Sequence, residues 1–331
     1  MNLDALAPKF RSRKAFIAWC KREFTDDYIS LEKADYSEDF KNFCQDGSLR
    51  FHSYSWTTLS GLNTELCILN IVDSFSNNTP PRLEYFICAR LLNHQLSFYN
   101  AARLKRKEAL DGSSDDRPFP PAGFPCSLGD MLMISAYIGN RKFVENVLLF
   151  CLDLFDLNLV GERGAIPLTQ LFTFRLAEKA LSMAPRNWLN DNRDWAIDPC
   201  EQEPLFAQLW QYWDTQDLNI LSPLLVQLLN RHTYQASRNN KDGGKDFGGP
   251  IVEQVPWELF FIYRLRQYKG LANPAIEHRL TSPPFDYLPA PAAELSLGQY
   301  EKEYIAMTRK FFPEFDQLVE GMKIRDWEMV G

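Results

Sequence analysis

Apolar residues recur three or four positions apart through most of this chain, and that spacing predicts amphipathic helices rather than strands. Between 9 and 24 they fall at Phe10, Ala15, Phe16, Trp19, Cys20 and Phe24, one helical face. A second, acidic helix is expected over 26–45, with Gly47 as its stop, and a third over 54–75 through Leu59, Leu62, Leu66 and Leu69. Pro80 and Pro81 then open a helix over 82–109. Residues 127–155 read as a helix pair turning at Gly139-Asn140, and 167–183 continue the periodicity.

The pattern is strongest between 204 and 270. Apolar positions run from Leu205 to Ala236, including the stripe Leu221, Leu224, Leu225, Leu228, Leu229 and His232, with Pro223 placed in a first turn. A polar, glycine-rich gap over 237–250 follows and reads as a flexible connector. Pro256 then sits at a helix start, residues 257–268 are apolar nearly all round and hence buried, and Gly270 is a natural stop. Residues 272–292, rich in Pro, read as a short helix and an extended wrap, and 299–311 and 313–321 as short closing helices; only 324–330 offers a candidate strand. The fold class is therefore mostly α, an irregular helical bundle or stacked α-hairpins, with little or no β. No fixed repeat period is present.

The segment 111–125, dominated by Pro, Gly, Ser and Asp, is the clearest break. It divides an N-terminal helical region, 1–110, from a C-terminal helical domain, 126–331, or forms a surface loop in one continuous domain. The chain has 331 residues, is 45% hydrophobic and carries 24 Phe, 13 Tyr and 8 Trp, ample material for a packed core.

Charge and chemistry add exclusions. A net charge of −7 speaks against a non-specific nucleic-acid binder. No apolar run is long enough to span a bilayer, and the N-terminus lacks a signal-peptide pattern, so membrane partners are not expected. Seven cysteines, an odd number with no CxxC pair, point to buried thiols in a reducing compartment, hence a cytoplasmic protein. Only His52, His94, His232 and His278 occur, in no zinc spacing, and neither GxSxG, a dinucleotide fingerprint nor a P-loop is present. His232, at the end of an apolar stripe, reads as a hydrogen-bonded boundary residue. No catalytic, cofactor or metal site is expected, and the chain does not read as an enzyme.

One stretch stands apart. Residues 185–217 hold Trp188, Trp195, Trp210 and Trp213, half of the tryptophans, and seven acids against two bases. That local excess of five negative charges fits a docking surface built on Asp191, Asp194, Trp195, Asp198, Glu201, Glu203, Trp210, Trp213 and Asp214. It fits equally a set of core tryptophans with solvated acids around them.

Leu209-Trp-Gln-Tyr-Trp213, Arg231-His-Thr-Tyr234, Val255-Pro-Trp-Glu258, Asn273-Pro with Glu277-His278 and Leu280, and Leu288-Pro289 together resemble the helical immunity proteins found beside bacterial polymorphic toxins and type VI secretion effectors. The resemblance covers about a quarter of the chain, its C-terminal part. It implies a stoichiometric inhibitor that binds a cognate toxin, nucleases among them, and masks its active site. The alternatives are a helical scaffold or regulatory module that binds a protein or peptide and, behind it, an enzyme with a pocket in the helical core.

Overall fold

A computed structural model describes residues 10–46, 49–81, 83, 124–156, 167–183, 198–237, 246–247, 250–291, 299–311 and 313. The expected helix over 82–109, the 111–125 break, Asp191, Asp194, Trp195, nearly all of 313–321 and the candidate strand 324–330 lie outside these. Helices account for 75% of the described residues and no strand occurs among them, so the fold is mostly α.

Twelve α-helices are described: α1 (Arg13–Glu23), α2 (Asp26–Asp46), α3 (Leu49–Asn77), α4 (Phe124–Ile138), α5 (Arg141–Asp156), α6 (Leu168–Ala180), α7 (Pro199–Gln202), α8 (Pro204–Tyr212), α9 (Leu218–Ser237), α10 (Pro250–Glu253), α11 (Trp257–Tyr268) and α12 (Gln299–Phe311). The expected turn at Gly139-Asn140 separates α4 from α5, with the Asn140 side chain accepting the Phe143 N–H at 3.0 Å.

The continuous helix read over 205–236 is two helices. Thr215 and Asp217 turn the chain between α8 and α9, and Asp217 Oδ1 accepts the Asn219 N–H at 2.9 Å as an N-cap. Because α9 begins at Leu218, Pro223 lies in its second turn rather than its first, inside the helix. The short helix read after 272 is only a 3-10 turn, Arg279–Thr281.

Two packing centres share one hydrophobic core. In the first, α2 packs along α3 and α1 joins them. In the second, α11 lies against α4, which also packs on α5 and α6. Residues from the two ends of the chain bind them together. Arg13 on α1 donates to the Pro283 carbonyl at 2.6 Å, Gln254 donates to the Arg11 carbonyl at 2.9 Å, and the Phe75 and Phe285 rings meet edge to face at 5.3 Å.

Close approach fixes the α4–α6 contact. A side chain on Gly129 would come within 2.4 Å of Gln170, whose amide oxygen accepts the Gly129 N–H. At the far end of α11, Gly270 takes φ +71°. Its N–H bonds the Gln267 carbonyl and the Leu271 N–H bonds the Arg266 carbonyl, the paired pattern of a Schellman stop.

Candidate functional site

The acidic, tryptophan-rich approach is built by α7, α8 and the turn into α9. Asp198 caps α7 by accepting the Cys200 N–H at 2.9 Å, with Pro199 pre-set at the first helical position. Its other oxygen pairs with Arg175 of α6. Glu203 occupies the N-cap of α8 but gives its side chain no capping role; both oxygens turn to Arg231 of α9, at 2.6 and 2.7 Å. Asp214 pairs with Lys269 at the end of α11, at 2.8 Å. Glu201 is exposed.

Among the described residues, three of these acids are balanced in space by cations from elsewhere in the chain. Asp198, Glu203 and Asp214 meet cations brought from positions 175, 231 and 269. The tryptophans divide as well. Trp213 is fully buried, with the Lys269 ammonium 4.6 Å from its ring. Trp210 is half-buried, its ring flanked by Arg175 at 5.2 Å and Lys179 at 4.3 Å. Lys179 also donates to the Trp210 carbonyl, and burial, with Lys269 nearby, holds its pKa below the usual lysine value despite Asp214. Burial and Asp198 push the Cys200 thiol up to about 11, so it stays protonated and a poor nucleophile near neutral pH.

A second cluster lies behind this face, where α6, α9, α10 and α11 meet. Arg231, 3% exposed, is the centre. Besides Glu203, its guanidinium meets Asp246 at 2.6 Å and the Thr169 hydroxyl at 2.7 Å. Burial works against the Arg231 charge, but the hydrogen bonds and charges of Glu203 and Asp246 outweigh it and raise its pKa. The Thr169 hydroxyl in turn donates to Asp246 at 2.6 Å.

His232 is not a boundary residue but fully buried. Its Nδ1 lies 2.8 Å from Glu258 Oε1 and its Nε2 3.1 Å from the Glu253 carbonyl. Phe247 stacks on the imidazole, centroids 4.0 Å apart at 14°. The stretch read as a plain connector thus sends two side chains, Asp246 and Phe247, into the core.

Residues 257–266 are buried, as their composition implies, while Gln267 is exposed and Tyr268 half-buried, and two of the buried residues are arginines. Arg264, 2% exposed, donates to the Ala136 and Tyr137 carbonyls at 2.8 and 2.9 Å, at the C-terminal end of α4, and to the Pro289 carbonyl at 2.7 Å. Arg266, fully buried, donates to the carbonyls of Trp213, Thr215 and Ala272. Burial lowers the pKa of both. A charge inside an otherwise apolar helix needs partners, and that is the signal by which these residues stand out in the sequence.

These contacts stitch together the segments that carry the resemblance. Arg266 joins Trp213 to Asn273, His232 joins α9 to Glu258, and Arg264 reaches Pro289. Among the described residues no group of three or more His, Cys, Asp or Glu is placed to hold a metal ion. Compared with protein-family models, with curated proteins and with solved structures, the chain matches none.

Proposed function

We propose that this protein is an immunity protein, a non-catalytic inhibitor that binds a cognate toxin effector in the cytoplasm and masks its active site. The observation that carries the reading is the convergence just described. Segments scattered over 209–289, on which the likeness to helical immunity proteins rests, join through buried arginines and His232 into one packed unit. A unit so cross-linked presents its outer face with little rearrangement, which favours tight association.

The face proposed for the toxin is the α7–α8 corner. Trp210 supplies a large half-buried ring, and its flanking cations leave part of the indole to a partner. Glu201 supplies the exposed charge. The wider set Asp191, Asp194, Trp195, Asp198, Glu203, Trp213 and Asp214 contributes in two ways. Asp198, Glu203 and Asp214 orient the corner through their cations and Trp213 fills its interior, while Asp191, Asp194 and Trp195 precede it in the chain. The toxin surface expected opposite is basic, as the substrate cleft of a nuclease would be.

The test is direct. The full chain is mixed with the toxin encoded beside its gene, complex formation is read by gel filtration, and protection is read by survival of cells expressing the toxin. Neither complex nor protection would overturn the proposal.

A further inference from the structure

We propose that the first turns of α2, together with Glu65 of α3, form a second docking face for the toxin, one that seats an arginine or lysine side chain of its basic surface. The inference rests on the immunity reading above. α2 carries seven acids and two lysines. Ile29, Tyr36 and Phe43, spaced seven apart, turn one side of it into the core, where it packs along α3. Tyr28, Leu31 and Asp35 are left exposed and Glu32 half-buried. Asp198, Glu203 and Asp214 have cations of their own, whereas among the described residues Asp26, Asp27, Glu32 and Asp35 form no ion pair.

Acids on a helix are ordinarily just solvated, but two further observations point to a ligand. Leu31 is 57% exposed, more than any other large hydrophobic among the described residues, and the exposed Tyr28 ring one turn before it is held edge to face by Phe24 at 6.2 Å. Glu65, 9% exposed, points its carboxylate at this face from below. The Tyr28 hydroxyl donates to its Oε1 at 2.8 Å, while its Oε2 is buried with no hydrogen-bond partner. Glu32 brings a second carboxylate alongside. One of its oxygens lies 4.0 Å from where a side chain on Gly61 would begin, one turn from Glu65 on α3.

A buried carboxylate with no cation destabilises the free chain. Burial, and after it Glu32, raises the Glu65 pKa, which is the sign of that destabilisation. A guanidinium or ammonium seated on Tyr28 beside Glu32 offsets it. Such a cation gains two carboxylates and an aromatic face, and Leu31 covers its apolar stem. The basic toxin surface supplies side chains of this kind.

Glu65 separates a docking role from a structural one. Glu32→Gln with Glu65→Gln should leave the free chain melting no lower than wild type, yet weaken the toxin complex about tenfold in calorimetric titration. Leu31→Ala should weaken it about fivefold. Asp73→Asn with Asp286→Asn, at exposed positions, removes the same charge elsewhere and should change the affinity less than about twofold. Absence of any complex with the wild-type chain would overturn the toxin reading and this face with it. A complex whose affinity survives the substitutions at Leu31, Glu32 and Glu65, or falls equally in the control, would overturn this face alone. So would gel filtration showing that the free chain pairs with itself and that Leu31→Ala makes it monomeric, which gives the face to a second copy.

Discussion

The Asp246 carboxylate caps the start of α6 through Thr169, 77 residues earlier in the chain: its Oδ2 accepts the Thr169 backbone N–H at 3.4 Å and the Thr169 hydroxyl at 2.6 Å. Pro167, at the N-cap of α6, has no side chain to do this. A negative charge there also complements the helix dipole. Replacing Asp246 with Ala removes the cap and one of the two carboxylates of a buried arginine, and should cost about 2–3 kcal/mol in urea unfolding. Asp246→Asn keeps an acceptor and should cost less.

Arg264 gives a second prediction. Its guanidinium satisfies the Ala136 and Tyr137 carbonyls at the C-terminal end of α4 together with the Pro289 carbonyl, so it fastens α4 and the 288–291 stretch to α11. Arg264→Met fills similar space but leaves these carbonyls without a donor, and should cost about 3 kcal/mol in thermal or urea unfolding. Arg264→Lys, a point charge with no planar fork, should recover only part of that.

The periodicity of apolar residues located nearly every described helix, because burial of one face is a local, repeating demand. Gly139-Asn140 and Gly270 were readable for the same reason: a turn and a left-handed stop each need particular residues at one position. What the chain conceals is pairing. Nothing near Glu203 says that Arg231 takes its charge, and nothing near Asp214 points to Lys269. A charge count along 185–217 therefore reports composition, not field. Asp246 and Phe247 stand among glycines and lysines, and only the fold shows that they reach Arg231 and His232.

Glu65 on α3 predicts a pH effect. Its pKa is raised, first by burial and then by Glu32, and the Tyr28 hydroxyl bonded to it at 2.8 Å only partly offsets this. A carboxyl raised on folding favours the protonated fold. Its contribution is present below the ordinary value of 4.5 and is lost as pH rises through the folded value, so at pH 7 the buried charge costs stability. Glu65→Gln should raise the melting temperature by about 2 °C at pH 7 and leave it unchanged near pH 4, as read by calorimetry.

Charge reversal at the proposed toxin-binding face must respect these internal pairs. Asp198→Lys and Glu203→Lys would set a new cation against Arg175 or Arg231, so a loss of affinity would be confounded with a loss of structure. Glu201 is exposed beyond the α7 N-cap, and Glu201→Lys should leave the melting temperature within about 1 °C of wild type. Against a basic toxin surface it should slow association about fivefold and weaken the salt dependence of the rate, because an exposed charge acts mainly by steering. Trp210→Ala should instead speed dissociation, since it removes buried contact rather than long-range field. Stopped-flow association and surface-based dissociation rates for the two variants separate these roles. Wild-type rates in both would place the toxin on another face of the molecule.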